Sequence, residues 1–320
     1  QLMAHSPELI PTEQISPYSV RYLFPIIYGM LEWYQLFNPR QLLTLIKITE
    51  LIRKASTRAE EDRFEETGSR DDASLYAGAI ADYLAMALCK YINYNTLTTW
   101  VHAGNPWGVD ISPSLATRGI AMQWNWCEIN PFVEKGVSGM FKTPISWARA
   151  LTSAIDGLNY LTSAIATRTL SEPHIAPKTR VLLDDATILS KLDANDKFDL
   201  IVTDPPYYDD VPYTELSDFY YVWLKRCLCH MHDGKVVPKH FPEAFFKQIG
   251  GQKIELRTQW EEFANREVSL NPPRLGLDLG NAEQYFQNLL DASFLATNSL
   301  LKEDGLLVTY YAHTDPEAWK

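Results

Sequence analysis

Apolar residues recur at helical spacing through much of the first half of the chain. Asn38-Pro39 has the form of an N-cap followed by proline in the first turn, and an apolar stripe follows it as far as Arg53-Lys54. The charged residues 56–72 interrupt this stripe, which predicts a linker or an exposed loop. Further helices are predicted over residues 72–92 and 144–166.

The pattern changes in the second half, where short apolar runs end in polar residues, as buried parallel strands do. Such runs cover Arg180–Asp184, Phe198–Thr203 and Gly305–Tyr311, and helical segments over Tyr213–Cys229 and Ala282–Leu300 alternate with them. Strands that alternate with helices predict an α/β fold with a doubly wound, mainly parallel sheet. In that architecture ligands bind beyond the carboxyl ends of the strands.

The change of pattern divides the chain into two predicted domains. Residues 1–170 form a mainly helical insertion, and residues 171–320 form the α/β part. The irregular segment from Asn93 to Lys142 contains four tryptophans, which indicate either a base-stacking surface for target recognition or the anchors of a loop-rich core.

Composition narrows the class of protein. The 320 residues are 46% hydrophobic and 22% charged, which is ordinary for globular proteins, and no apolar run is long enough to predict a membrane span. The four cysteines have no metal-ligand spacing, which favours free thiols and a cytoplasmic location. The first residues lack an initiator Met, so we expect a portion of a longer protein.

A formal charge of −11 argues against a surface covered with phosphate contacts. Residues 225–257 are nevertheless a basic island, with three acidic residues against seven basic ones: Lys225, Arg226, Lys235, Lys239, Lys247, Lys253 and Arg257. This stretch can hold a nucleic-acid backbone, and Lys225 and Arg226 are its first candidates for substrate binding. The alternative is a solvent-exposed loop whose charged residues bind no substrate.

The most informative motif is Asp204-Pro205-Pro206-Tyr207, directly after the strongest predicted strand. An exocyclic base amine is a poor nucleophile, so an enzyme that methylates it must extrude the base and accept hydrogen bonds from the amine. Asp204 offers a carboxylate acceptor, and the carbonyl of Pro205 offers a second one whose direction is limited by proline. Tyr207 offers a ring on which the base can stack. A proline-rich turn is the alternative.

Residues near this motif are candidates for the rest of the site. Asp184 and Asp185 end the preceding predicted strand and are candidate cofactor contacts, although acids of a solvated turn fit nearly as well. Further along the loop, three residues are candidates for the wall of the base pocket: Tyr208, Asp209 and Tyr213. For Asp209, capping of the next helix is the alternative.

These residues resemble a known family, the large adenine-specific DNA methylases that carry a zinc ribbon elsewhere in their chain. Similar segments occur in family order: Tyr28–Met30, Leu36–Leu43, Met122–Phe132, Thr203–Leu224, Ala312-His313 and Ala318-Trp319. The resemblance implies the methyltransferase fold, S-adenosyl-L-methionine as methyl donor, adenine N6 in DNA as acceptor, and a place in a restriction or anti-phage system with other subunits. It carries the catalytic role to residues 204–207 only.

One departure limits this expectation. Methyltransferases of this class have a glycine-rich loop of Phe-x-Gly-x-Gly type after their first strand, and this sequence has none. We therefore expect the chain to be the central and C-terminal portion of the enzyme, with an incomplete cofactor site. Alternatives are an inactive DNA- or partner-binding module, or a methyltransferase for cytosine N4, RNA or a protein amide.

Overall fold

The computed structural model describes residues 7–105, 108–116, 119–133, 146–167, 180–206, 211–232 and 235–310. The chain divides into two compact units. The first unit comprises Gln1–Glu172 and Glu215–Glu262, and the second comprises Pro173–Thr214 and Phe263–Lys320. This division differs from the predicted one because residues 215–262 pack with the N-terminal half.

The α-helices are α1 (Pro39–Thr67), α2 (Arg70–Ile92), α3 (Trp147–Thr167), α4 (Tyr213–Leu228), α5 (Pro242–Phe245), α6 (Gln259–Phe263), α7 (Pro272–Leu275) and α8 (Leu279–Ser299). The strands are β1 (Trp100–Asn105), β2 (Gly108–Ser112), β3 (Phe198–Thr203), β4 (His230–His232), β5 (Lys235–Val237), β6 (Phe246–Ile249), β7 (Gln252–Glu255) and β8 (Leu301–Thr309). The prediction of a mixed α/β protein is confirmed.

Helix α1 begins as predicted but does not end where the apolar stripe ends. The Asn38 side chain accepts hydrogen bonds from the backbone N–H groups of Arg40 and Gln41, and proline occupies the first turn. The predicted loop over 56–72 is wrong, because α1 continues through most of it to Gly68, which ends the helix with φ +67°. Its charged residues are good helix formers, and Arg58 pairs with Asp62 one turn later.

Helix α2 packs closely against α1 through small side chains. Ala73, Ala77 and Ala81, which follow one another at intervals of about one turn, are buried. Among the described helices, α2 alone is long and apolar enough to cross a membrane. Its buried face accounts for that composition, since core helices of folded units have the same character.

Helix α4 runs through the core of the first unit. Phe219, Val222 and Trp223 are at most 1% exposed, and Phe219 and Trp223 contact the ring of Phe37. Within the described residues, the strands of this unit form three antiparallel hairpins, β1/β2, β4/β5 and β6/β7. The first of them lies in the segment predicted to be irregular.

The second unit contains one parallel pair of strands. β3, found at its predicted bounds, pairs with β8 over Leu200–Thr203 and Leu306–Thr309. Residues 180–184 carry no strand, so that prediction is wrong. Within the described residues β3 and β8 are the only parallel strands, and the doubly wound sheet of the methyltransferase type stays a prediction.

Candidate active site

The Asp204-Pro205-Pro206 segment leaves the carboxyl end of β3. Thr203, the last residue of β3, lies beside Thr309 of β8, with 3.1 Å between their hydroxyl oxygens. The carbonyl of Thr203 accepts a hydrogen bond from the N–H of Tyr310 at 2.9 Å. Proline cannot continue the strand ladder because it has no N–H. The strand accordingly ends at Thr203, and the next residue, Asp204, is exposed.

The described residues include only part of the predicted loop. Tyr207, Tyr208 and Asp209 lie outside them. Tyr213 begins α4 and is 44% exposed.

A buried acid holds the far end of this loop. Glu267 accepts hydrogen bonds from the backbone N–H of Tyr213 at 2.8 Å and from the hydroxyl of Thr214 at 2.6 Å. Arg274 donates to the same carboxylate at 3.3 Å and to Ser269 at 2.9 Å. The Glu267 and Arg274 side chains are 8% and 2% exposed. The loop is thus fixed by β3 at one end and by Glu267 at the other.

Sequence reasoning missed Glu267 and Arg274. A carboxylate that binds the first N–H groups of a helix usually belongs to the N-cap residue of that helix, at most a few residues before the N–H groups that it binds. Glu267 is 54 residues from Tyr213. The short spacing of Glu267 and Arg274, which are seven residues apart, is the only signal that pairs them, and it does not indicate what they hold.

The two candidate cofactor carboxylates form a local turn. Asp184 accepts hydrogen bonds from the N–H of Lys191 at 2.6 Å and from the hydroxyl of Ser190 at 2.8 Å. The bond from the Lys191 N–H is the main cause that lowers the pKa of Asp184. Asp185 accepts from the N–H and hydroxyl of Thr187 at 2.9 and 2.6 Å. This geometry favours the alternative interpretation, that of turn acids.

Lys225 and Arg226, predicted to bind substrate, are buried in the first unit. Lys225 is 0% exposed, donates a hydrogen bond to Glu255 at 2.7 Å and forms an ion pair with Glu13 at 3.0 Å. Arg226 is 5% exposed and donates to Glu13 at 2.9 Å and to the carbonyl of Ile10 at 2.6 Å. Burial deprives both side chains of access to a DNA backbone, so we correct their role to structural.

This buried cluster also sets the charge of its acid. Burial alone would raise the pKa of the Glu13 carboxyl, but the Arg226 and Lys225 cations lower it below its ordinary value. Glu13 is therefore a carboxylate at neutral pH. The N-terminal segment is tied through it to α4.

A second buried acid, Asp218 on α4, has the opposite shift. It caps α6, accepting hydrogen bonds from the N–H groups of Gln259 and Trp260 at 2.5 and 3.2 Å. Its side chain is 0% exposed, and burial raises its pKa to about 8. A group with a raised folded-state pKa stabilises the fold fully below its unfolded pKa of about 4, and this contribution is lost as the pH rises through the folded value.

We therefore expect the free energy of unfolding to fall between about pH 4 and pH 8, by at most about 1.4 kcal/mol per pH unit from this group. Asp218→Asn cannot ionise and should flatten this dependence. Urea unfolding at several pH values measures it, with Asp62→Asn on the exposed face of α1 as the control. Equal slopes in the two variants would contradict the assignment.

The remaining residues of the basic island are divided between ion pairs and exposed positions. Lys239 lies 3.4 Å from Glu60, and Lys247 pairs with Glu262. Lys253 and Arg257 are exposed. The island is therefore not one continuous surface for phosphate contacts.

Three of the four tryptophans of the predicted base-stacking surface lie within the described residues. Trp124 is 81% exposed and makes an edge contact with Tyr28, whereas Trp100 and Trp126 are half-buried. Trp107 lies outside the described residues. Trp124 has the exposure that base stacking needs, and the other two are better placed as anchors of the core.

Comparisons of this chain with protein-family models, with curated proteins and with solved structures find no match.

Proposed function

We propose that this chain is the acceptor-binding portion of an S-adenosyl-L-methionine-dependent methyltransferase that acts on N6 of adenine in DNA. The observation that carries the proposal is the position of Asp204-Pro205-Pro206 at the carboxyl end of β3, a strand of a parallel pair. Ligands of open α/β sheets bind beyond this end of the strands. The family resemblance supplies the class of reaction.

The chemistry assigned to the chain is the positioning of the acceptor amine. Asp204 and the Pro205 carbonyl accept hydrogen bonds from the two amine hydrogens of an extruded base, which directs the nitrogen lone pair towards the methyl donor. The motif assigns to Tyr207 the ring on which the extruded base stacks. Positive charge develops on the nitrogen during transfer, and the Asp204 carboxylate stabilises it. The proton leaves afterwards through Asp204 or water.

Glu267 is a positioning residue in this proposal. Because it fixes Tyr213 and Thr214, it limits the paths that the loop can take from β3 to α4. Its own partner Arg274 is buried, so the anchor is rigid. A loop held at both ends can present acceptors whose direction is set before the base arrives.

The described residues do not fit S-adenosyl-L-methionine by themselves. β3 is followed by Asp-Pro-Pro and not by a glycine-rich turn, and Asp184 and Asp185 are engaged in their own turn. The parallel pair is also poorly covered, since Leu200, Val202 and Leu306 are all more than half exposed. Parallel sheets normally have both faces covered. We infer that further polypeptide completes the sheet and holds the cofactor.

The resemblance also suggests the setting, a restriction or anti-phage system with DNA and other subunits as partners. An inactive module that binds DNA or such a subunit is the second candidate. The lack of a glycine-rich loop after either described parallel strand favours it.

Methylation-aware sequencing of DNA from cells with and without the intact gene tests the proposal. We expect N6-methyladenine at a defined sequence context only in cells that carry the gene. Methylated cytosine instead of methylated adenine would mean that cytosine N4 is the acceptor. Identical DNA in the two strains would contradict the enzyme and leave the inactive module as the better interpretation.

A further inference from the structure

A cavity of about 320 Å³ lies in the first unit between α1 and the segment that follows α4. Cationic side chains from both sides line it: Arg53, Lys54 and Arg58 from α1, and Lys239 from the segment after β5. His230 is also in the wall, and Glu61 is the acid among the lining residues. In a chain with a formal charge of −11, this concentration of cations is unusual.

Two of these cations form no ion pair with the residues that the structure describes. Arg58 is bonded to Asp62 at 2.8 Å, and Lys239 lies 3.4 Å from Glu60. Within the part of the chain that the structure describes, no ion pair joins Arg53 or Lys54 to a carboxylate. Arg53 is also half-buried, so its charge acts inside the cavity and is less screened by water.

The neighbouring histidines are sensitive to this positive charge. Burial lowers the pKa of His230, and the Lys239 and Arg53 cations lower it further, against the opposing effect of Glu60. Burial, again with Lys239, lowers the pKa of His240 to about 4. The neutral ring of His240 then bonds to Ser56 of α1 at 2.9 Å, which fixes this side of the cavity.

The cysteines that line the cavity add no negative charge. Cys227 and Cys229 are among the lining residues and are buried free cysteines. Burial raises the pKa of each thiol to about 12, so both stay neutral at physiological pH. A negatively charged ligand would therefore meet four cationic side chains, two uncharged thiols and one carboxylate, that of Glu61, among the lining residues.

We propose that this cavity binds the phosphate group of a small phosphorylated molecule. A guanidinium offers a planar pair of donors that matches phosphate oxygens, and a dianion gains most from several cations at once. The volume is at the lower end of the range for ligand pockets, which leaves room for a sugar or nucleoside beside the phosphate. The site is independent of the proposed methyl transfer.

Isothermal titration calorimetry of the 320-residue chain at low ionic strength tests the site, with inorganic phosphate, AMP and adenosine as titrants. We expect saturable binding of phosphate and AMP and none of adenosine. Arg53→Gln should weaken AMP binding by about tenfold or more, the usual size for a hydrogen bond to a charged group. Lys253→Gln, an exposed cation on β7, is the matched control and should leave the affinity unchanged.

A second readout does not depend on heat. Bound phosphate should raise the pKa of His230, measured from its ring proton by NMR, and Arg53→Gln should reduce that rise. Far-UV circular dichroism verifies that each variant folds. The proposal is overturned by equal binding of adenosine and AMP, by equal effects of Arg53→Gln and Lys253→Gln, or by binding of duplex DNA without binding of AMP.

Discussion

Replacement of Asp204 by alanine is expected to reduce adenine methylation by about two to three orders of magnitude, the usual effect of removing one charge-stabilising group from an active site. The exposed carboxylate at the end of β3 is the acceptor for one hydrogen of the base amine in our proposal. Without it the amine loses its orientation and the developing charge loses its counterion. The fraction of N6-methyladenine in DNA from cells that carry each form of the intact gene measures the effect.

Asp199 provides a matched control on the same strand. It is exposed on β3 and bonded to Lys302 of β8 at 2.6 Å, so Asp199→Ala also removes an exposed carboxylate from this strand. We expect this variant to methylate DNA almost as well as the wild type, since exposed ion pairs contribute little to stability. If Asp204→Ala is folded and as active as Asp199→Ala, Asp204 is not the acceptor.

The structural features that the sequence predicted correctly depend on residues that lie close together along the chain. The start of α1 depends on Asn38 and Pro39, and β3 depends on a six-residue run in which Phe198, Ile201, Val202 and Thr203 have strong β preference. The end of α1 was wrong because an apolar stripe reports burial of one face and not the length of the helix. Charged residues extend the helix beyond the buried part until Gly68 ends it.

The structural features that the sequence did not predict depend on contacts between residues that are far apart along the chain. Lys225 and Arg226 belong to a basic island, and exposure is the usual state of such residues. Their burial depends on Glu13, which is 213 residues from Arg226. The site shows the same division, because Asp204-Pro-Pro is recognisable as a local motif, whereas its anchor Glu267 is recognisable only in three dimensions.

Glu13 is the residue whose loss should cost most stability. It contacts both Lys225 and Arg226, which are buried beside it. Glu13→Ala leaves two buried cations without their shared counterion, and breaking a buried ion pair in this way costs about 3–5 kcal/mol. Urea unfolding followed by tryptophan fluorescence measures the loss, because Trp33 and Trp223 are buried in the same unit.

Asp62→Ala is the control for the loss of a carboxylate as such. Its partner Arg58 is exposed, so we expect a cost below about 1 kcal/mol. The pH dependence separates Glu13 further: its pKa is lowered in the folded state, so its stabilising contribution is present above the unfolded pKa and is lost as the pH falls. The difference in stability between wild type and Glu13→Ala should therefore shrink in acid. A cost no larger than that of Asp62→Ala, or one that is constant down to low pH, would mean that Lys225 and Arg226 find other counterions.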